Sequence, residues 1–273
     1  MFLTNTNLVV KASALVDQIF LNTFYFGSST FFPYFCSQMK TTYHYIILAW
    51  TLLALVGQET KAQTVSYQSF AHYNRRVAEF APLRDIDSTT VVMLGNSLTE
   101  NGGNWAERLN TGLKVVNRGI IGDNTIGMIQ RLCQITPYKP RAIFLMAGIN
   151  DMSNGMPAQQ VASRVITLID SIRLQSPGTQ LFVESILPIN ESNGRWKTLS
   201  GRTDDIPWAN MLIRAYCESN GIVFIDVFRR MTRGRSNILR GELTSDGLHL
   251  NAEGYKIWAF ELRRHIKRLE KTR

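Results

Sequence analysis

Four short segments of this chain carry side chains of the types needed for acyl transfer. The first, Gly95 to Leu98, holds a serine, and the last, Asp246 to His249, holds a histidine with a carboxylate three positions before it. A histidine base can take the proton of a serine hydroxyl, and a carboxylate can hold the imidazole in the required tautomer. The sequence therefore predicts a catalytic triad of Ser97, His249 and Asp246.

The two segments between these offer groups that stabilise a negatively charged oxygen. One contains Gly122, whose backbone N–H can approach a substrate carbonyl closely, and the other contains Asn150, whose amide donates without ionising. With the backbone N–H of Ser97 they predict an oxyanion hole. Taken singly, Gly122 and Asn150 are also good turn residues, and Ser97 is a good helix N-cap. The catalytic interpretation is favoured because all four segments occur in one chain.

Other polar residues near these segments are interpreted as structural. Asp123, Asn124 and Asp151 are expected to cap helices or fasten loops. Two further histidines of the predicted mature chain compete poorly as bases. His72 lies in a polar N-terminal segment, and His265 is flanked by basic residues whose charge should lower its pKa.

Strand-like apolar segments alternate with helix-like patterns from residue 91 onward. The strands are predicted at Val91–Gly95, Lys114–Asn117, Ala142–Ala147, Leu181–Ile186 and Ile222–Val227. The helices are predicted at about Asn104–Leu109, Thr125–Gln134, Ala158–Gln175, Trp208–Asn220 and Ala252–Glu270. Strands that are apolar throughout and separated by helices predict an α/β domain whose parallel sheet is covered on both faces.

The predicted strands bring the polar segments together. Ser97 follows the first strand, Gly122 the second and Asn150 the third. In open parallel sheets, ligands bind beyond the carboxyl ends of the strands, so the three residues should converge at one edge. Two long polar stretches, Asn190–Asp205 and Arg229–Thr244, are predicted to be loops over that edge that shape a pocket.

From Val91 to Tyr255 the sequence resembles the SGNH hydrolases, also called GDSL esterases. The Ser, Gly, Asn and His for which that family is named fall on Ser97, Gly122, Asn150 and His249, and the segment from Leu250 to Tyr255 also fits. One departure is plain, because the family's Gly-Asp-Ser-Leu reads Gly-Asn-Ser-Leu here. The resemblance implies a flavodoxin-like strand order, a three-layer α/β/α fold with five strands, and a serine esterase without cofactor.

The N-terminal part predicts export. An apolar stretch from Tyr45 to Gly57 follows a basic start at Lys40 and precedes small residues that end at Ala62. A membrane-spanning helix needs roughly 20 apolar residues, so 39–62 is interpreted as a cleaved signal peptide rather than an anchor. Residues 1–38 are interpreted as an over-extended start, 63–90 as a segment that packs on the domain, and 91–273 as the hydrolase domain. The mature protein is expected to be periplasmic or secreted.

The composition and charge of the chain limit the classes of partner and cofactor that we expect. The chain carries a net charge of +9, and many of its cations cluster near the C-terminus, at Arg263, Arg264, Lys267, Arg268, Lys271 and Arg273. They are interpreted as the solvated side of a helix rather than a nucleic-acid site, opposite an apolar side of Ile257, Phe260, Leu262, Ile266 and Leu269. Cys133 and Cys217 are expected to be buried free thiols, with a disulfide between them as the alternative. No spacing typical of a metal site or a phosphate loop is present, so no metal or cofactor is expected.

These features predict an exported serine esterase that hydrolyses short acyl esters, acetyl esters above all, with a small molecule or a glycan as substrate. A lysophospholipase or thioesterase is the first alternative. A non-catalytic carbohydrate-binding module on the same fold is the second. A pair of glycosidase carboxylates stays open as well, among Glu184, Asp204, Asp205 and Asp226, although no spacing selects two of them.

Overall fold

A computed structural model describes residues 69–271 of the chain. The predicted start at 1–38 and the predicted signal peptide at 39–62 lie outside the described residues. Five strands form one parallel sheet in the order β2-β1-β3-β4-β5. They are β1 Val91–Gly95, β2 Val115–Gly119, β3 Ala142–Met146, β4 Gln180–Glu184 and β5 Val223–Ile225. The predicted fold class is confirmed.

Helices cover the sheet in two groups. Nine α-helices are described: α1 Ala71–Phe80, α2 Ser97–Glu100, α3 Trp105–Leu109, α4 Thr125–Gln130, α5 Ile149–Ser153, α6 Ala158–Gln175, α7 Asp205–Ser219, α8 Phe228–Met231 and α9 Ala252–Lys271. α6 packs against both α4 and α7, whereas α9 packs against α3. Every residue of β1 and β3 is buried. Two covered faces explain why these strands are apolar throughout rather than alternating.

The predicted strands and the five predicted helices are all present. β1 and α6 have the predicted bounds, and the other ends shift by up to three residues, except at the end of α4. α4 ends at Gln130 and is followed by a separate 3₁₀ turn, Leu132–Gln134. Leu132 takes the core position in that turn and directs Cys133 outward. The prediction that both cysteines are buried is therefore wrong for Cys133 and correct for Cys217, and both are free thiols.

The predicted apolar side of the C-terminal helix α9 faces the core except at Phe260. Its buried residues include Tyr255, Trp258, Leu262, Ile266 and Leu269, whereas Phe260 is 66% exposed. The prediction for Phe260 is wrong because two aromatic residues earlier in the helix, packed on the ring of Trp105, fix its rotation. Within residues 69–271, no helix is both long and apolar enough to cross a membrane.

A buried acid lies at the carboxyl end of β4. One carboxyl oxygen of Glu184 accepts a hydrogen bond from Nε1 of Trp258 in α9, and its other oxygen has no hydrogen-bond partner among the described residues. Burial raises the pKa of Glu184 to about 8, and the hydrogen bond from Trp258 opposes this only in part. The carboxyl is therefore protonated at neutral pH.

This acid should make the protein less stable as the pH rises. The pKa of Glu184 is raised from 4.5 to about 8 on folding, so between these values the folded chain keeps a proton that the unfolded chain releases. The free energy of unfolding should then fall by up to about 1.4 kcal/mol for each pH unit in that window. Glu184→Gln cannot ionise and should remove this slope, as urea unfolding at pH 5, 6, 7 and 8 would show. Glu253→Gln, an exposed helix acid, is the control. Parallel curves for the wild type and Glu184→Gln would contradict the prediction.

Candidate active site

Ser97 lies at the junction of the inner strand β1 and the short helix α2. Asn96 caps this helix, since its Oδ1 accepts a hydrogen bond of 3.0 Å from the N–H of Leu98. The turn is tight: a Cβ on Gly95 would lie 2.1 Å from Oγ1 of Thr99. The strand and the cap together fix the serine hydroxyl at the carboxyl edge of the sheet.

His249 and Asp246 share a turn just before α9. Oδ1 of Asp246 accepts hydrogen bonds from the backbone N–H groups of Leu248, at 2.9 Å, and His249, at 2.7 Å. Its Oδ2 lies 2.7 Å from Nδ1 of His249. Gly247 completes the turn with φ +85°, and a Cβ there would lie 2.3 Å from the carbonyl oxygen of Asn190. Glycine is therefore required at this position.

The structure brings the three predicted triad residues together. Nε2 of His249 lies 3.1 Å from Oγ of Ser97. Partial burial of Asp246 acts to raise its pKa, but hydrogen bonds from the His249 ring and from two backbone N–H groups outweigh it and lower the pKa to about 2. The ionised carboxylate accepts a hydrogen bond from Nδ1–H, which leaves the lone pair of Nε2 directed at the serine hydroxyl. This geometry allows His249 to act as a base toward Ser97.

The predicted oxyanion residues lie on the neighbouring turns. Gly122 follows β2 with φ +81° and is exposed, so its backbone is open to a ligand. Asn150 lies in the first turn of α5, after β3, and donates one amide hydrogen bond of 2.7 Å to the carbonyl oxygen of Asp123. That contact fixes the amide group beside the Gly122 turn and leaves its second N–H for another acceptor.

The residues beside these donors act as supports, as the sequence predicts. Asn124 caps α4 through hydrogen bonds of 3.1 Å from two backbone N–H groups. Asp151 accepts from the backbone and the hydroxyl of Thr125. Asp123 forms a buried ion pair of 2.8 Å with Arg131, and burial raises the pKa of Asp123 against the effect of that cation. All three are thus engaged in holding the two turns.

Residues 87–257 match the family model of the GDSL-like lipase/acylhydrolase family. The chain belongs to this family. It is 26% identical over 205 residues to the GDSL esterase/lipase WDL1 of Oryza sativa subsp. japonica, across 66% of this chain and 78% of the rice protein. The chain is therefore a hydrolase of the GDSL esterase/lipase type.

Solved structures of GDSL proteins share the fold. A GDSL-like lipase from Bacteroides thetaiotaomicron superposes with a TM-score of 0.63 at 24% identity, over 73% of this chain and 99% of the other. A carbohydrate acetylesterase family member from Sinorhizobium meliloti superposes with a TM-score of 0.52 at 18% identity, over 66% of this chain and 98% of the other.

The departure from the GDSL motif places an amide NH₂ group beneath the nucleophile turn. Where the motif has an aspartate, Asn96 uses its oxygen for the cap, and its Nδ2 is buried without a hydrogen-bond partner among the described residues. An aspartate would place an acceptor there instead of a donor. The substitution alters the hydrogen bonds beneath the nucleophile turn and leaves the Ser97–His249 contact in place.

The other two described histidines, His72 and His265, have partners outside the triad. His265 is buried against the ring of Phe182, and burial, with Arg264 and Arg268, lowers its pKa to about 4. The predicted direction is confirmed, and burial is the larger cause. His72 contacts Glu100 at 3.0 Å. Among the described residues, no group of three His, Cys, Asp or Glu side chains is arranged to hold a metal ion.

The carboxylates considered for a glycosidase pair each have a separate partner. Asp226 pairs with Arg214, Asp205 with Arg202, and Asp204 accepts from Asn237. Glu184, as described above, is buried against Trp258. The contacts therefore give no support to a carboxylate pair.

Sequence patterns missed two aromatic residues at this GDSL site. Trp196 packs edge-to-face on the ring of His249, with 5.2 Å between the ring centroids. Phe70 lies against the oxyanion turn, so that a Cβ on Gly122 would approach its ring to 2.8 Å. Both lie in segments without a motif. The helix that follows Phe70 could have been predicted from the sequence, because Tyr73, Val77 and Phe80 have the spacing of one helix face.

Proposed function

We propose that this hydrolase is an exported serine esterase that removes short acyl groups, acetyl above all, from carbohydrate esters. The observation that carries the catalytic part is the contact of 3.1 Å between Nε2 of His249 and Oγ of Ser97, with Asp246 on the other ring nitrogen. His249 takes the hydroxyl proton as Ser97 attacks the ester carbonyl. The alcohol leaves with that proton, and a water molecule activated by His249 then releases the acid from the acyl-enzyme.

The oxyanion of each tetrahedral intermediate is stabilised by three donors. These are the backbone N–H groups of Ser97 and Gly122 and the free amide N–H of Asn150. The hydrogen bond from Asn150 to Asp123 supports this role, because it fixes the amide before substrate arrives. Preorganised donors need no rearrangement when the charge develops, and this is the source of their effect on the rate.

The preference for a short acyl group is supported by two aromatic rings beside the catalytic groups, which leave less room for a long chain than small side chains would. The ring of Trp196 packs edge-to-face on that of His249, with 5.2 Å between the ring centroids. On the oxyanion turn, the ring of Phe70 lies against Gly122.

The carbohydrate part of the proposal is supported by the loop that carries Trp196. Its neighbours are polar: Asn193 donates to the carbonyl oxygen of Ser245, and Thr198 contacts Ser153. An aromatic ring among hydrogen-bonding side chains suits a sugar, which has apolar C–H faces and hydroxyl edges. The export part is supported by the sequence of 39–62 alone, and N-terminal sequencing of the mature protein should find Gln63 first.

A series of p-nitrophenyl esters from acetate to octanoate, together with an acetylated polysaccharide, tests the substrate. We expect kcat/KM to be highest for acetate or propionate, to fall by at least about tenfold beyond butyrate, and acetate to be released from the polysaccharide. The loss per added carbon follows from the cost of packing further methylene groups against the rings of Trp196 and Phe70. Ser97→Ala prepared in parallel gives the blank. Rates that rise with chain length would favour a lysophospholipase or thioesterase, and no serine-dependent turnover would favour a binding module.

A further inference from the structure

We propose that Glu100 is a positioning residue for the oxyanion turn, and that helix α1 holds Glu100 in that position. The role rests on the proposed function, since it concerns the donors assigned to the oxyanion hole. Glu100 is the last residue of α2, the helix that begins with Ser97. One helical turn would thus carry the nucleophile at its start and the support of the oxyanion turn at its end.

The contact that defines this role joins Glu100 to the residue before Gly122. Oε2 of Glu100 accepts a hydrogen bond of 2.5 Å from the backbone N–H of Ile121. Hydrogen bonds from Ile120 N–H to Gly95 O and from Asp123 N–H to Ile120 O, both of 3.1 Å, close the rest of the turn. The hydrogen bond from Ile121 to Glu100 holds the exposed tip of this turn, which consists of Ile121 and Gly122. A peptide fixed at Ile121 limits the directions in which the next N–H, that of Gly122, can point.

Helix α1 supplies a hydrogen-bonding imidazole and a cation to this carboxylate. Nε2 of His72 lies 3.0 Å from Oε2 of Glu100, and Nε of Arg76 lies 3.2 Å from Oε1. The Glu100 side chain is only 17% exposed. These two contacts replace part of the hydration that the carboxylate loses, and they fix its orientation.

Helix α1 is itself docked on the oxyanion turn and on α4. Tyr73 and Phe80 pack on Ile120, and the hydroxyl of Tyr73 donates a hydrogen bond of 2.8 Å to the carbonyl oxygen of Gly127. This helix precedes residues 87–257, the part of the chain that matches the family model. The support for the oxyanion turn therefore comes from a segment outside the matched domain.

A purely structural role would give a different result from a positioning role. If these ion pairs only dock α1, removing Glu100 lowers the thermal midpoint and leaves kcat unchanged. If Glu100 orients the turn, its removal lowers kcat with little change in KM, because the oxyanion forms only after the substrate has bound. The two roles are therefore separable by kinetics.

Glu100→Ala, Glu100→Gln and Glu79→Ala form a matched set. We expect Glu100→Ala to lower kcat by about 10- to 100-fold with KM within about twofold, less than the loss of a whole oxyanion donor. Glu100→Gln should recover part of kcat, since its amide oxygen can still accept from Ile121. Glu79→Ala should match the wild type, because Glu79 belongs to the same charge cluster through Arg75 and Arg76 but does not contact the turn.

Hydrogen exchange of the peptide that spans 119–124 supplies a second measurement that does not depend on turnover. Exchange should be faster in Glu100→Ala than in the wild type and unchanged in Glu79→Ala. Serine-dependent turnover that Glu100→Ala leaves unaltered, or exchange that it leaves unaltered, would overturn this role alone. Absence of serine-dependent turnover in the wild type would overturn the proposed function and this role with it.

Discussion

Ser97→Ala should lower kcat for p-nitrophenyl acetate by on the order of 10⁵- to 10⁶-fold, the largest effect expected of any single substitution in this protein. Alanine lacks the oxygen that lies 3.1 Å from Nε2 of His249, so no acyl-enzyme can form. The oxyanion donors and His249 stay in place, and the residual rate is that of water attacking a bound ester.

Stability should be almost unaffected by that substitution. Ser97 is 5% exposed, and its hydroxyl contacts the ring of His249, which has a second hydrogen bond to Asp246. The thermal midpoint therefore separates loss of chemistry from loss of fold. A fluorophosphonate should add its mass to the peptide that contains Ser97 in the wild type and to no peptide in the variant.

Ser153→Ala is the matched control for the nucleophile. Ser153 ends α5 at the same edge of the sheet, and its hydroxyl contacts that of Thr198 at 2.6 Å. Its removal should leave kcat within about twofold of the wild type. If turnover survived in Ser97→Ala or vanished in Ser153→Ala, the assignment of the nucleophile would be wrong.

The sequence predicted the sheet and the meeting of Ser97 with His249 for a physical reason. β1 and β3 are apolar throughout because both of their faces are buried, and such segments stand out from amphipathic helices. Once the strands are located, the carboxyl-end rule places the residues that follow them at one edge. His249 lies 152 positions from Ser97 and follows no strand directly, so its position depended on the resemblance and on the nearby carboxylate.

Rotation and packing explain where the sequence failed. Phe260 and Cys133 were expected to be buried because they are apolar and lie in helical patterns. Nearby residues occupy the core instead. The ring centroid of Trp258 lies 5.0 Å from that of Trp105, and Leu132 is fully buried in a tighter turn. A pattern shows that a helix has an apolar side but not which of two adjacent apolar residues meets the sheet.

The residues that support the site could not be predicted from the sequence, for a different reason. Trp196 packs on His249, 53 positions further along the chain, and Phe70 lies against Gly122, 52 positions further along. Glu100 accepts a hydrogen bond from Ile121, 21 positions further along. Contacts of this kind depend on how loops and a terminal helix dock. No local spacing encodes them.

Asp246→Asn should lower kcat at neutral pH by about 10⁴-fold, the second-largest expected effect, although it changes the size of the side chain very little. The reason lies in how the two carboxylate oxygens are used. Oδ1 accepts from the backbone N–H groups of Leu248 and His249, at 2.9 and 2.7 Å, and Oδ2 faces Nδ1 of the His249 ring. In the variant only the amide oxygen can satisfy the two backbone donors, because an NH₂ group cannot accept.

The amide NH₂ that this substitution introduces is then directed at Nδ1 of His249, and this reverses the tautomer. Nδ1 must accept, the ring proton moves to Nε2, and the atom 3.1 Å from Ser97 becomes a donor that cannot remove the hydroxyl proton. KM should change little, since Asp246 is largely buried behind the ring and is not placed to contact substrate.

Asp204→Asn, at an exposed carboxylate of the loop that carries Trp196, should keep the wild-type kcat. Steady-state kinetics on both variants measure the difference. A loss of less than about tenfold in Asp246→Asn would mean that the carboxylate does not hold the base in its working tautomer, and His249 would then owe its orientation to the packing of Trp196 on its ring.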